Sequence, residues 1–233
     1  EYISHPQEIR NSLRSLYEVI ISLMAYYMKR NRIEAAYFPY IIKKYRVIAY
    51  RSFYSLEGAL LELLNEPSIY CRENAMQALY TTGDVDCIIK AIKTIDRSGL
   101  FYHRKLLSDG LLNFAGSGNT LGKKIVENFF DFSVGMQVTL LDYLRFSGSE
   151  YQKFALSLLI YEDLNDEIRY AAIRYLGKYP FSKAYEALCG FAEENSEQKW
   201  EYAAIASTAL GSYPCENTVH ILKKNLYSRN WYV

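Results

Sequence analysis

Three groups of residues have the types and spacing from which chemistry could be built. The first, Gly116-Ser117-Gly118-Asn119-Thr120-Leu121-Gly122-Lys123-Lys124, is glycine-rich and ends in lysine, as a phosphate-cradling loop does. Three departures count against it. Five residues separate Gly116 from Gly122 where a P-loop has four, Lys124 stands where Ser or Thr would hold magnesium, and the stretch joins two predicted helices instead of following a strand. A turn between helices is expected there, with no nucleotide or other cofactor. The second group is the histidines and cysteines. His5, His103 and His220 are far apart, with no pair at metal-ligand spacing, so no metal site is expected. Cys71, Cys87, Cys189 and Cys215 include no C-x-x-C pair, and neither a G-x-S-x-G elbow nor a papain-like cysteine context occurs. The expectation is a protein without catalytic residues.

The third group is cationic and aromatic. Between residues 29 and 51, Lys29, Arg30, Arg32, Lys43, Lys44, Arg46 and Arg51 stand against Glu34 alone, interleaved with Tyr37, Tyr40, Tyr45, Tyr50 and Tyr54. Such a stretch suits an acidic peptide or a nucleic-acid backbone, and it suits anionic lipid if an anchor precedes Glu1. Lys43, Lys44, Arg46 and Arg51 are its candidate partner-binding residues. Over the whole chain the formal charge is only +1, so no global field draws the protein onto nucleic acid or membrane. Cysteines placed singly in predicted helices favour a reducing compartment, hence a cytoplasmic protein. The longest predominantly apolar run, Val19 to Met28, is ten residues and too short to cross a bilayer. A membrane tether is expected only through a segment ahead of Glu1.

The elements that must carry these residues are helical. Five Pro and 12 Gly in 233 residues are sparse, and 23 Tyr suit half-buried helix faces. Apolar triplets at i, i+4 and i+8, the buried stripe of a short helix, recur along the chain. They are Cys71-Ala75-Leu79, His103-Leu107-Leu111, Met136-Leu140-Leu144, Ile168-Ala172-Leu176 and Tyr202-Ala206-Leu210, beginning 32, 33, 32 and 34 residues apart. A Gly- or Pro-containing break follows each, then a second apolar helix marked by Ile88 and Ile92, Ile125 and Phe129, Ala155 and Leu159, Ala184 and Leu188, or Leu222 and Leu226. Asp84, Ser149 and Ser182 are placed to cap second helices, and His103 reads as a partly buried helix start. The unit is helix, tight turn, helix.

Residues 167–180, Glu-Ile-Arg-Tyr-Ala-Ala-Ile-Arg-Tyr-Leu-Gly-Lys-Tyr-Pro, resemble the first helix and turn of a bacterial HEAT repeat of the PBS-lyase type. Tyr202–Pro214 and Ser68–Gly83 are similar to it, and 230–233 resembles the opening of another repeat cut short at Val233. Gly135, Gln137 and the turn 116–119 depart from the pattern. The resemblance covers residues 65–233 and implies an all-α fold: a right-handed α–α superhelix of the HEAT or armadillo kind, with about five helix pairs. Residues 1–64 are expected to form a helical cap. In them Ser4 and Gln7 make a candidate capping box with Pro6, and Ile9, Leu13, Leu16, Ile20, Met24 and Tyr27 mark one face of a long helix. A second helical region, about 33–64, is broken or entered at Pro39.

The resemblance further implies that second helices line a concave face. Their lysines, Lys123, Lys124, Lys153 and Lys183 among them, are slightly outnumbered by acids on the same segments. A mixed groove suits a protein or peptide better than a phosphate backbone, which rewards clustered cations. Trp200, Tyr170, Tyr202 and Arg169 are candidate anchors only if exposed. The expectation is a protein-binding scaffold. HEAT-like bilin lyases and alkyl-DNA glycosylases are the alternatives the resemblance brings.

Overall fold

The computed structural model describes residues 11–12, 15–49, 55–161, 163–194 and 199–233. Ser4, His5, Pro6, Gln7, Ile9, Leu13, Tyr50, Arg51 and Tyr54 lie outside them. The described residues are all-α, thirteen helices with no strand among them. They form two compact units, Glu1–Asn128 and Phe129–Val233.

The first unit holds α1 (Tyr17–Tyr27), α2 (Arg32–Lys44), α3 (Ser55–Leu63), α4 (Ile69–Leu79), α5 (Val85–Ser98), α6 (Arg104–Leu112) and α7 (Gly118–Glu127). Local chemistry sets where they start. The Asn31 side chain accepts the N–H groups of Ile33 and Glu34 at 3.1 Å, Asp84 accepts those of Asp86 and Cys87, and Ser117 accepts that of Thr120. Gly83, at φ +74°, closes the α4–α5 turn in the left-handed region that glycine enters without strain. Pro39 breaks nothing; it lies within α2 with its ring buried, and the chain leaves the helix only after Lys44. Its ring forgoes one backbone bond, and core packing of Ala35, Ala36, Phe38 and Ile42 holds the helix through it. α2 packs on α4, α3 on α4 and α5, and α5 on α7.

The second unit holds α8 (Val134–Ser147), α9 (Gln152–Ile160), α10 (Asp166–Lys178), α11 (Tyr185–Ala192), α12 (Trp200–Leu210) and α13 (Glu216–Asn225). Here α8, α10 and α12 pack in succession, α9 lies on α10, and α11 lies on α12 and α13. In both units the apolar triplets turn inward, and all are buried except His103. That residue is the exposed N-cap position of α6, because the helix begins only at Arg104.

Several turns differ from expectation. Ser149 does not cap: the chain makes a further turn and α9 begins after Tyr151, without a side-chain cap. Ser182 opens a 3-10 turn, Ser182–Ala184, ahead of α11. Gly177 does not stop its helix but lies inside α10, where a methyl group would meet Ala209 of α12 at 2.9 Å. In α13 the buried residues are Thr218, Ile221 and Asn225, whereas Leu222 is half-buried and Leu226 is 83% exposed. The register is set by the Asn225 amide, which donates to the Ala192 carbonyl (2.8 Å) and the Ser207 hydroxyl (2.7 Å).

Neighbouring pairs are tied by tyrosines. The Tyr175 hydroxyl accepts the Tyr151 N–H (3.0 Å) and donates to the Gly148 carbonyl (2.8 Å), which clamps the α8–α9 turn from α10. Tyr213 accepts the Phe181 N–H (3.0 Å) and donates to the Leu176 carbonyl (3.1 Å). Burial pushes the Tyr175 hydroxyl up to about 12, so it keeps the proton the clamp requires. Tyr175→Phe should lower unfolding free energy by about 1–3 kcal/mol, the cost of stranding a buried N–H and a carbonyl. A urea midpoint equal to the parent's would show the turn finds other partners. Gly177→Ala gains about 1 kcal/mol of helix propensity but forces α10 and α12 apart, an overpacking cost of about 1–3 kcal/mol. The midpoint should therefore fall; a rise would mean the two backbones separate freely.

Candidate interaction surface

The described part of the cationic, aromatic stretch follows α1 and forms α2, with the tyrosines described there outward. Tyr26, Tyr37, Tyr40 and Tyr45 are exposed, as are Lys29, Arg30, Lys43, Lys44 and Arg46. Lys43 and Lys44 occupy the last turn of α2, where cations complement the helix dipole. Lys44 Nζ lies 5.9 Å from the Tyr40 ring centre and 5.6 Å from that of Tyr45. Arg46 follows at φ +50°. At the other end Arg30 bonds the Tyr26 hydroxyl, sits 4.1 Å over its ring and pairs with Glu34 at 3.8 Å. These are cation–π contacts at an exposed site, worth about 0.5–1 kcal/mol each. Of the four sequence candidates here, the structure gathers Lys43, Lys44 and Arg46.

The second-helix lysines are less uniform. Lys123, Lys153 and Lys183 are exposed. Lys124 is engaged, at 3.8 Å from Asp86 on α5 and 3.6 Å from Glu127. The glycine-rich stretch becomes the turn and first residues of α7, capped by Ser117.

Trp200 and its companions divide. Trp200 is half-exposed and stacks on Tyr232 at 5.1 Å. Tyr202, expected as an anchor if exposed, is buried between Phe191 and Tyr170, and its hydroxyl donates to Asp166. Burial, then that bond, raises it to about 12. Arg169, with its side chain 17% exposed, is spent on the Tyr161 carbonyl (2.7 Å) and on Asp166 (3.5 Å). Both are structural. Beside them Leu226, Tyr227, Trp231 and Tyr232 are exposed, and a cleft of about 380 Å³ opens between Val219, Leu222, Leu226 and Val233.

Sequence reasoning missed two features. One is a second apolar stripe on α1, Val19, Leu23 and Tyr26, which is exposed, as is Leu16 just ahead of it, a residue expected on the other face. The i, i+4, i+7 spacing of the three was present in the sequence, but only packing reveals which of two apolar faces is covered. The other is Cys215, which caps α13 while Cys71, Cys87 and Cys189 are buried. Its sulfur shares hydrogen bonds with the Thr218 hydroxyl (3.2 Å) and the Tyr185 hydroxyl (2.8 Å) and accepts the Thr218 N–H (3.4 Å), contacts that lower its pKa, the Thr218 hydroxyl most. Among the described residues no three His, Cys, Asp or Glu side chains gather as a metal site requires. No helix of the described residues is long and apolar enough to cross a membrane.

The chain matches no protein-family model and no curated protein. A thiol reagent applied to the native protein should modify one cysteine quickly, at a lower pH than free cysteine requires, and Cys215→Ser should abolish that phase. A second fast thiol would contradict the burial of the other three.

Proposed function

We propose that the chain is a HEAT-like α-solenoid, a right-handed superhelix of stacked helix pairs, that binds another protein or peptide and performs no chemistry of its own. What carries this reading is the recurrence within each unit. Helix pairs of about 33 residues stack like on like, as α8, α10 and α12 do, and side-chain bonds join each pair to the next. Repetition of this kind supplies an extended surface, and repeat proteins use such surfaces for binding. The surface charge supports a protein partner. Lys124 is matched by Asp86 and Glu127, Lys90 by Glu57 and Lys224 by Glu193, so acids are interleaved with these cations, whereas a phosphate backbone rewards cations clustered alone. Lys123 in the first unit, and Lys153, Lys183 and the half-exposed Trp200 in the second, are the proposed contact residues, each on its own unit, in a cytoplasmic protein.

Affinity capture on the immobilised chain, with and without nuclease, tests the reading. A protein recovered in near-equal amount from both samples, and lost when Lys153→Glu and Lys183→Glu are combined, is the expected result. Material that vanishes on nuclease treatment would replace the protein partner with a nucleic acid.

A further inference from the structure

We propose that the α1–α2 face of the first unit docks peripherally on an anionic lipid bilayer. The inference is independent of the scaffold reading and begins with α1, which has no buried residue despite being apolar on both sides. Ile20, Met24 and Tyr27 are half-buried against the unit. Leu16, Val19, Leu23 and Tyr26 are not: Val19 is 52% and Leu23 43% exposed. Ring contacts continue this stripe onto α2, from Tyr26 to Tyr27 (5.4 Å), Tyr27 to Tyr37 (6.3 Å) and Tyr37 to Tyr40 (5.9 Å). On α2 the exposed residues Ile33, Tyr37, Tyr40 and Lys44 fall at i, i+4, i+7 and i+11, one face of the helix, and Ile33 is 84% exposed.

Cations border this apolar and aromatic face at both ends, Lys29 and Arg30 at one and Lys43, Lys44 and Arg46 at the other. Beside the first pair an open hollow of about 390 Å³ is lined by Ala25, Tyr26, Lys29 and Arg30. The acids of these two helices are Glu18 and Glu34, and Glu34 is already held by Arg30 and Asn31. The surface is thus apolar, tyrosine-rich and positive at once.

A bilayer surface satisfies all three properties together. Aliphatic side chains enter the acyl boundary, tyrosine rings rest at headgroup depth, and lysine stems extend until their ammonium groups meet lipid phosphate. Other occupants satisfy fewer. A protein partner would have to set acids against both cationic ends of the face as well as cover its apolar centre. A second copy in two-fold contact would set this positive patch against itself. A nucleic acid would use the cations and the rings and leave Leu16, Val19, Leu23 and Ile33 in water. At about 1.5 Å per residue α1 is too short to span, so it would lie in the interface plane.

The test is flotation of the full chain with vesicles of phosphatidylcholine alone, or with about 30% phosphatidylglycerol. Binding to the anionic vesicles only, weakened by about 0.5 M salt, is expected. Neutralising Lys43, Lys44 and Arg46 to Gln should weaken partitioning about fivefold per cation. Val19→Glu with Leu23→Glu should abolish it, and Ile33→Gln, at a fully open position, should weaken it with the circular dichroism melt unchanged. Failure to float with either vesicle would overturn the proposal. So would floating that survives the Val19 and Leu23 changes, or a dimer in light scattering that those same changes dissolve. Duplex DNA or RNA binding that depends on the cations but not on Val19, Leu23 or Ile33 would overturn it equally.

Discussion

Every helix end leaves backbone groups without an intrahelical partner, and a fold made of short helices has many such ends to satisfy. This protein meets the demand with long side chains reaching back from the next helix. The residue directly after the first stripe position serves in three pairs. Arg72 donates to the carbonyls of Glu66, Pro67 and Phe101, Gln137 to that of Phe129, and Arg169 to that of Tyr161. Arg72 and Gln137 are buried for this purpose. The turn inside a pair is served separately: Tyr175, Tyr213, Lys178 and Gln152 collect the carbonyls of Gly148, Leu176, Arg145, Tyr179 and Pro180. The apolar stripes supply most of the burial, but these bonds fix how far each helix may slide along its neighbour.

The same constraint explains the abundance of tyrosine. Phenylalanine would fill the space beside a turn equally well and leave the turn's N–H and carbonyl unpaired; tyrosine does both tasks with one residue. Tyr80 shows this from the side: its hydroxyl donates to the Leu107 carbonyl, and its ring lies where a β-carbon on Gly110 would stand. Elsewhere the residue is used in the opposite sense, with rings outward beside cations on α2. Buried tyrosines bind the chain to itself, and exposed ones make surface available.

The helical period was the most legible part of the sequence. Triplets at i, i+4 and i+8 depend on geometry that every helix shares, so burial of Cys71, Ala75 and Leu79, and of all their counterparts but His103, followed directly. Turn residues were harder, because one residue type serves several ends. Gly83 is a left-handed turn, whereas Gly177 is a close contact between two helices, and only the presence of Ala209 tells them apart. The register of α13 depended on Ser207 and Ala192, residues distant in sequence. Of the candidate surface, the cations of α2 were legible from composition. The pairing of Lys124 with Asp86, the burial of Tyr202 and the choice between two apolar faces of α1 were not, since each depends on what another helix places nearby.

The bonds cited as tying one helix pair to the next span from 8 residues of chain, as between Arg169 and Tyr161, to 38, as between Asn74 and Ala36. No such bond waits on the closure of a long loop, and proteins assembled from local contacts of this kind fold rapidly. If the pairs are the repeats proposed above, order within a unit can spread from any pair already formed to the one beside it, and can be lost the same way. Mutational tolerance inherits that grain. Gain or loss of a whole helix pair would preserve every pattern of bonding between the pairs that remain, while a single residue inserted within a helix would misalign the donors along its length.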